Sequence, residues 1–506
     1  MRPPACTPLA PDNGTRAGRE FLAADATLPP SLTRWLDEQN ARARPRWLPT
    51  SCRGVQSFGP EAAPTPPTGD AAGADAARWA NASFADINAM TLSSKARDLA
   101  KQLAGLAVKD TTWNEELIFE KDVAEVAKLG EYLDEVIQLS DALVAEMQGV
   151  LGAVAAFRKE LYAVKKRPMT TENLDTVRPL LDDQIYEFLR SVAEYGVRAD
   201  IEGEPQRFEV GPHKSARVLL EKMLVASAKE FRMGVAFIIS DKSKELAKGI
   251  EVCPMGAVSK KSPLTRVILA EPRPIHNVKW GDKGSLNSRT IERHTPPTVC
   301  PSHMDLAQQI VMEYFVFPGV QQFATKRDIL KAFRWILSQL GDTKWFSTLL
   351  PTLENMDCEG MIQVVLLALP FGWRNSPGLY GIAGWAMTQV QRRLGPGPEN
   401  WLAGSDMAFY STAFVDDAVL IEPMLGRRLE LASDAYVYAG LGVLNKGFLQ
   451  VAKMMEEGRW TRTLMPWGRW LDMTLMPYGL EGVTFELPEV KIAAAVELLE
   501  AQSAQP

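Results

Sequence analysis

YSTAFVDDAVLIEP, Tyr410 to Pro423, sets two adjacent aspartates, Asp416 and Asp417, inside an otherwise apolar run of strand-forming residues. A carboxylate within a strand is stable only when it is paired, hydrogen-bonded or neutralised by a cation. Side chains alternate across a strand, so neighbours point to opposite faces unless the chain turns at the pair. Aspartate is a common turn residue, and a hairpin turning here lets both acids approach one place. The stretch therefore reads as a hairpin tip with solvated acids or as half of a metal site. The second reading needs another carboxylate elsewhere in the chain.

FATKRDILKAFRWIL, Phe323 to Leu337, supplies one: Asp328 follows a short strand-like stretch and precedes an amphipathic pattern. The spacing predicts a helix with Ile329, Phe333 and Ile336 inward. Taken alone, Asp328 is an N-cap. Between the acids lies LALPFGWRNSPGLYGIAGWAM, Leu367 to Met387, a Pro/Gly-punctuated loop carrying Arg374, Asn375 and Ser376 and leading into a helix rich in small residues. Pro370 stands 42 residues after Asp328, and Asp416 stands 46 residues after Pro370.

This order, strand–Asp with an aromatic at plus five, then LPFGWRNSP, then FVDD within a strand pair, resembles the reverse transcriptase palm. The flavour is that of LTR-type and tyrosine-recombinase-type retrotransposons. AVSKKSPLTRVILAEPRPIHNVKWGDKGSLNSRT, residues 257–290, resembles the fingers hairpin, with Asn277 where the family usually carries an aspartate. GLGVLNKGFLQVAK resembles the motif with a lysine near the incoming nucleotide, matched by Lys446 with Lys453 as the alternative. MPWGRWLDM resembles a loosened primer grip, and LPEVKIAAAVELLE the first thumb helix. The match covers about residues 220–500.

The resemblance implies an α+β fold, a right-hand polymerase palm of antiparallel sheet backed by helices. Its expected parts are fingers over 220–320, palm over 321–470, the start of a thumb over 471–506 and a helical N-terminal extension over 81–219. It implies RNA-directed DNA polymerase activity, with Asp328, Asp416 and Asp417 catalytic and holding two Mg²⁺ or Mn²⁺ ions. Phe333 would stack beneath the incoming sugar and collide with a 2′-hydroxyl, selecting dNTPs. Arg273 and Lys261 would bind the triphosphate, and Phe371, Gly372 and Arg374 would shape the nucleotide pocket. Partners would be an RNA or DNA template with its primer, and dNTPs. An RNA-directed RNA polymerase, or a decayed element that only binds RNA or assembles, are the competing readings. RNase H, integrase and protease activities are expected on a longer or separate chain.

The remaining features bound these readings. Net charge is −6, so any basic surface must be local, and residues 251–300 carry 8 Lys/Arg against 4 Asp/Glu. The 5 cysteines are scattered with no CxxC pair, which argues against a zinc module and a disulfide framework and suits a reducing interior. No run of transmembrane length is present, and an intracellular protein, cytoplasmic or nuclear, is expected. Residues 1–80 are rich in Pro, Ala, Gly and Thr and read as a disordered arm. From Val126 to Leu161 apolar residues recur in steps of three and four, a heptad seam interrupted at Ser140. It implies a long helix packed on its own chain or self-association through the 126–161 helix. Between 110 and 165 that region holds 12 Asp/Glu against 5 Lys/Arg, the mark of a solvated face.

Overall fold

The computed structural model describes residues 79, 81–165, 167–206, 210–261, 268–281, 284–291, 296, 298, 300–396, 404, 407–449, 458–474, 483–489 and 492–493. The expected arm over 1–80 falls outside these residues except for Trp79, as do Lys453 and most of 487–500. Among the described residues the chain is α+β, with eight helices longer than ten residues around four small sheets of antiparallel strands.

The acidic N-terminal region forms α1 (Ser94–Val108), α2 (Val123–Met147) and α3 (Val150–Val164). Ser93 caps α1 by accepting from the Ala96 N–H, and Asp122 caps α2 by accepting from Glu125. Gln148 then turns left-handed (φ 54°), Gly149 opens α3, and the two helices diverge by 115°. The heptad seam thus rounds a corner instead of following one rod. Leu129, Leu133, Val136, Leu143, Val154, Phe157 and Leu161 are fully buried in the chain's own core. Of the two readings of the seam, packing on its own chain is the one these residues display. No single described helix is long and apolar enough to cross a membrane.

Pro168 ends the helical run, and Thr170 caps the next short helix by accepting from Asn173 at 3.3 Å. Helices α4 (Asp183–Tyr195) and α5 (Leu220–Met233) follow, then the apolar strand β1 (Ala236–Ser240). Phe157 of α3 stacks on Phe231 of α5 at 5.2 Å between centroids and leans on Phe237 of β1 at 5.7 Å. Burying each such ring contributes about 1.5–3 kcal/mol. Beside them the fully buried Arg158 donates to the Leu367 carbonyl at 2.9 Å, tying α3 to the loop that precedes Pro370.

Strands β2 (Met255–Lys261) and β3 (Ile268–His276) pair as a hairpin, in the region expected to be the fingers. Strand β4 is Gln322–Asp328, and β5 (Ser347–Pro351) and β6 (Met361–Leu366) complete a sheet of order β1-β6-β5. Strands β7 (Tyr410–Phe414) and β8 (Asp417–Pro423) join β4 in a second sheet of order β4-β8-β7. Its Ala418 and Leu420 face the main core with α7 (Ser376–Arg393) and α8 (Arg428–Val443). Its Val419 and Ile421 pack instead on Leu306 and Ile310 of α6 (His303–Val316). Leu464 and Leu471 join this second cluster from the small sheet β9 (Thr463–Leu464), β10 (Trp470–Asp472) and β11 (Thr484–Glu486).

The helix expected after Asp328 is not there. Lys331 is left-handed (φ 48°) and only a 3₁₀ turn forms, Ala332–Trp335. The reason is competition for the backbone: Ile329 bridges Leu449, and Leu337 bridges Ala368. Ile329, Phe333 and Ile336 are nevertheless buried, so the apolar pattern was read correctly and its period was not.

Candidate active site

Antiparallel pairing sets Asp328, the last residue of β4, directly opposite Asp417, the first residue of β8. Directly opposed residues share a sheet face with Cβ atoms about 4.5–5.5 Å apart. Phe414 also pairs with Asp417, which leaves Val415 and Asp416 as a two-residue hairpin turn. The expected turn at the acid pair is thus present, one residue early, and it frees Asp416 from strand alternation. Val415 adopts φ 54°, a conformation that a β-branched residue takes only when its surroundings impose it. One such constraint is the Ile329 N–H, which donates to the Asp416 carbonyl at 2.9 Å and locks the turn to the end of β4.

Two further contacts hold Asp417. Lys326 Nζ stands 3.8 Å from its carboxylate, and the Trp467 indole N–H donates to its carbonyl at 3.2 Å. Trp467 lies in the stretch MPWGRWLDM, so the loop between β9 and β10 is fastened to the acid strand. Behind the sheet end sit two buried phenols, Tyr380 of α7 and Tyr436 of α8. Burial raises the pKa of each. The charges of Asp416 and Asp328 add to the effect at Tyr380, and those of Asp328 and Asp417 at Tyr436, where Arg327 opposes it.

Phe333 and Phe371 come together from distant segments, 4.9 Å between centroids, and Tyr380 meets Phe333 edge-on at 6.0 Å. Phe371 is 38% exposed, so the cluster has an open side. Beneath it the buried Arg334 pairs with Glu230 of α5, Nε to Oε1 at 2.8 Å, and donates to the Leu369 carbonyl at 2.7 Å. Burial alone would raise the Glu230 carboxyl, but Arg334, Lys331 and His276 together hold it low.

Gly372 (φ +102°) is where the LPFGW loop crosses the base of the β2–β3 hairpin. A Cβ there would lie 2.3 Å from the His276 carbonyl oxygen. Asn287 completes the joint: its Nδ2 donates to the Gly372 carbonyl and its Oδ1 accepts from the Arg374 N–H, both at 3.0 Å. A cavity of about 340 Å³ opens at this joint, lined by His213, Val258, His276, Asn277 and Gly372 among others. Burial, with Arg334 nearby, pushes the His276 imidazole down to about 4, so it is neutral near pH 7.

The structure therefore gathers Asp328, Asp416, Asp417, Phe333, Phe371 and Gly372. Arg374 is exposed on the LPFGW loop, Arg273 is exposed on β3, and Lys446 is exposed three residues before Leu449. The side chain of Lys261 lies outside the described residues, although its backbone pairs with Ile268. Sequence reasoning missed Tyr380, Asn287 and Trp467. Each was visible only as a residue inside a quoted motif, with no local signal beyond the GSLN turn for Asn287.

The three aspartates offer the hard oxygen donors that magnesium and manganese take. Among the described residues no group of three or more His, Cys, Asp or Glu side chains is placed to hold a metal ion. Magnesium held by one or two carboxylates, with water and substrate phosphate filling its shell, needs no such cage, so the donor set fits this ion class.

No protein-family model and no curated protein matches the chain. Among solved structures, a foamy viral protease–reverse transcriptase in complex with double-stranded DNA is similar at 13% identity and a TM-score of 0.35. The likeness covers 59% of this chain and 46% of that one, so this chain spans less than half of that protein.

Proposed function

We propose that the chain is an RNA-directed DNA polymerase of a retroelement, adding dNTPs to a primer 3′-hydroxyl on an RNA or DNA template. In this reading β4-β8-β7 is the palm sheet, β2–β3 the fingers hairpin, and residues 471–506 the start of a thumb. One observation carries it: Asp328 opposite Asp417, beside the Asp416 turn. Acids almost ninety residues apart in the chain meet at one sheet end, in the motif order that resembles reverse transcriptases.

Asp328, Asp416 and Asp417 would hold two Mg²⁺ or Mn²⁺ ions. When bound, such ions activate the primer hydroxyl and neutralise the leaving pyrophosphate. The chain's own part is rigid presentation. The Ile329–Asp416 hydrogen bond and the Trp467–Asp417 hydrogen bond fix the acids before substrate arrives. Phe333, wedged between Phe371 and Tyr380, would close the space that a 2′-hydroxyl needs. Gly372 keeps the backbone low at the joint with the hairpin, where Arg273, Arg374 and, by resemblance, Lys261 would meet phosphates through charge-assisted hydrogen bonds. Lys446 would approach the nucleotide from the segment that bridges Ile329. Template and primer would be gripped through their backbones, as copying any sequence requires.

The test is primer extension on an RNA template with Mg²⁺ and with Mn²⁺, dNTPs against rNTPs, beside Asp416→Asn. Metal-dependent dNTP incorporation that the substitution abolishes is the expected result. Equal use of rNTPs would move the assignment to an RNA polymerase. Bound RNA without incorporation would favour a decayed element or a truncated polymerase, and restoring a complete thumb would separate those two.

A further inference from the structure

Helix α6 has a packed side and, opposite it, an uncharged side open to solvent. The packed side is Leu306, Gln309, Ile310 and Glu313, all buried, and Leu306 and Ile310 meet Val419 and Ile421 of β8. At about 100° per residue, the opposite side is Met304, Gln308, Val311 and Phe315. Met304 is 65% exposed, Phe315 50% and Val311 36%, with Gln308 half-buried between them. Lone apolar residues are ordinary on a surface, but a row of them along one helix is the mark of a contact. No lysine or arginine of α6 keeps this row wet. Of its two acids, Glu313 is buried, and Asp305 turns back to accept from the Ser302 N–H at 2.6 Å.

The order of the row points to its occupant. Its steps of four, three and four residues read the same from either end. Turned end over end about the midpoint between Gln309 and Ile310, Met304 falls opposite Phe315, and Gln308 opposite Val311. A two-fold contact demands this, because one surface must fit its own reversed image. Methionine sulfur on an aromatic ring is favourable, antiparallel helices oppose their dipoles, and an uncharged face does not repel its copy. We propose that this side of α6 is the contact between two copies of the chain, packed antiparallel across a two-fold axis. The row is only about 16 Å long at 1.5 Å per residue, so the dimer is weak. Its Kd is about micromolar or higher. Pairing would also brace β8, the strand on which the packed side of α6 rests. The inference stands apart from the polymerase reading.

The experiment is sedimentation equilibrium of the full chain from about 1 to 100 μM, as wild type, Gln308→Glu and Val311→Lys. The wild type is expected to pass from monomer to dimer over that range. Each substitution sets two like charges beside the axis, so each variant alone should need at least about tenfold more protein to pair. Mixed in equal amounts, the two variants should dimerise again, because the new acid of one meets the new base of the other. Val123→Lys, a similar change at a residue of α2 that is 83% exposed, should leave the dimer intact. A wild type that stays monomeric throughout overturns the proposal and gives the row to another protein or to the C-terminal segment of this chain. A dimer that neither substitution weakens places the contact on a different face. Loss of the dimer in both variants without rescue on mixing overturns the antiparallel two-fold arrangement.

Discussion

Strand β8 carries acids at both ends, and they are handled in opposite ways. At its far end Glu422 is fully buried against the fully buried Arg428, Nε to Oε2 at 2.5 Å, and accepts from the Tyr410 N–H at 2.7 Å. Glu313 of α6 lies close enough for its charge and that of Glu422 to interact, and its own Oε1 accepts from Gln309 at 2.7 Å. Burial pushes Glu422 up to about 7, against the pull of Arg428. Burial also pushes Glu313 well above the ordinary range, and the charge of Glu422 adds to it. At the near end Asp416 and Asp417 are only half-buried, with Lys326 at 3.8 Å from Asp417. One end holds its counter-ion inside the fold; at the other, in the polymerase reading proposed above, the counter-ions would arrive from outside it.

The sharpest way to break this contrast is at the open end. Asp416→Asn is expected to lower dNTP incorporation by about 100- to 1,000-fold or more, the scale of losing a group that stabilises developing charge. Its melting temperature should stay put or rise, since a half-exposed turn acid holds little of the fold; a large drop would erase the distinction. At the closed end the effect should fall on stability. Arg428→Met leaves Glu422 without its cation, and breaking a buried pair costs about 3–5 kcal/mol. Denaturant titration reads that loss, while incorporation per folded molecule should be unchanged.

A smaller effect depends on pH. The folded-state pKa values of Glu422 and Glu313 lie above the unfolded value, so the folded state binds these protons more tightly than the unfolded chain does. Their stabilising contribution is complete below the ordinary carboxylate range and is lost as pH rises through the folded pKa, about 7 for Glu422. Replacing Glu313 with glutamine removes one of the two titrations. Glu313→Gln should therefore stabilise the protein by about 1 kcal/mol at pH 8 and by less at pH 5, in melts across that range. Equal melting curves at both pH values would show that the two acids do not share a charge problem.

The acids themselves were legible in the sequence because their signal is local: a double aspartate inside an apolar strand, and a third behind another strand. Phe333 was legible for the same reason, standing five residues after Asp328. Tyr380, Asn287 and Trp467 were not, because what marks them is a partner far along the chain: Phe333 for Tyr380, Gly372 for Asn287 and Asp417 for Trp467. The helix expected after Asp328 failed on tertiary competition for Ile329 and Leu337. The heptad seam showed which residues are apolar but not the corner at Gln148 and Gly149, and periodicity alone could not tell packing on the chain's own core from packing on a partner. Arg158 gave no sign of burial at all; a lone arginine on a helix reads as solvated until its carbonyl partner is known.

That arginine bears on how the protein is made. Its guanidinium closes on a carbonyl 209 residues further along the chain. At about 5–20 residues per second of synthesis, the helix carrying it waits roughly 10–40 s for its partner to leave the ribosome. α1, α2 and α3 can pack on one another during that interval, but the face that meets Leu367 stays open to water and to other nascent chains. An early-made part of the molecule thus waits on a late-made one to complete its burial, and its yield in a cell should depend on what shields it meanwhile.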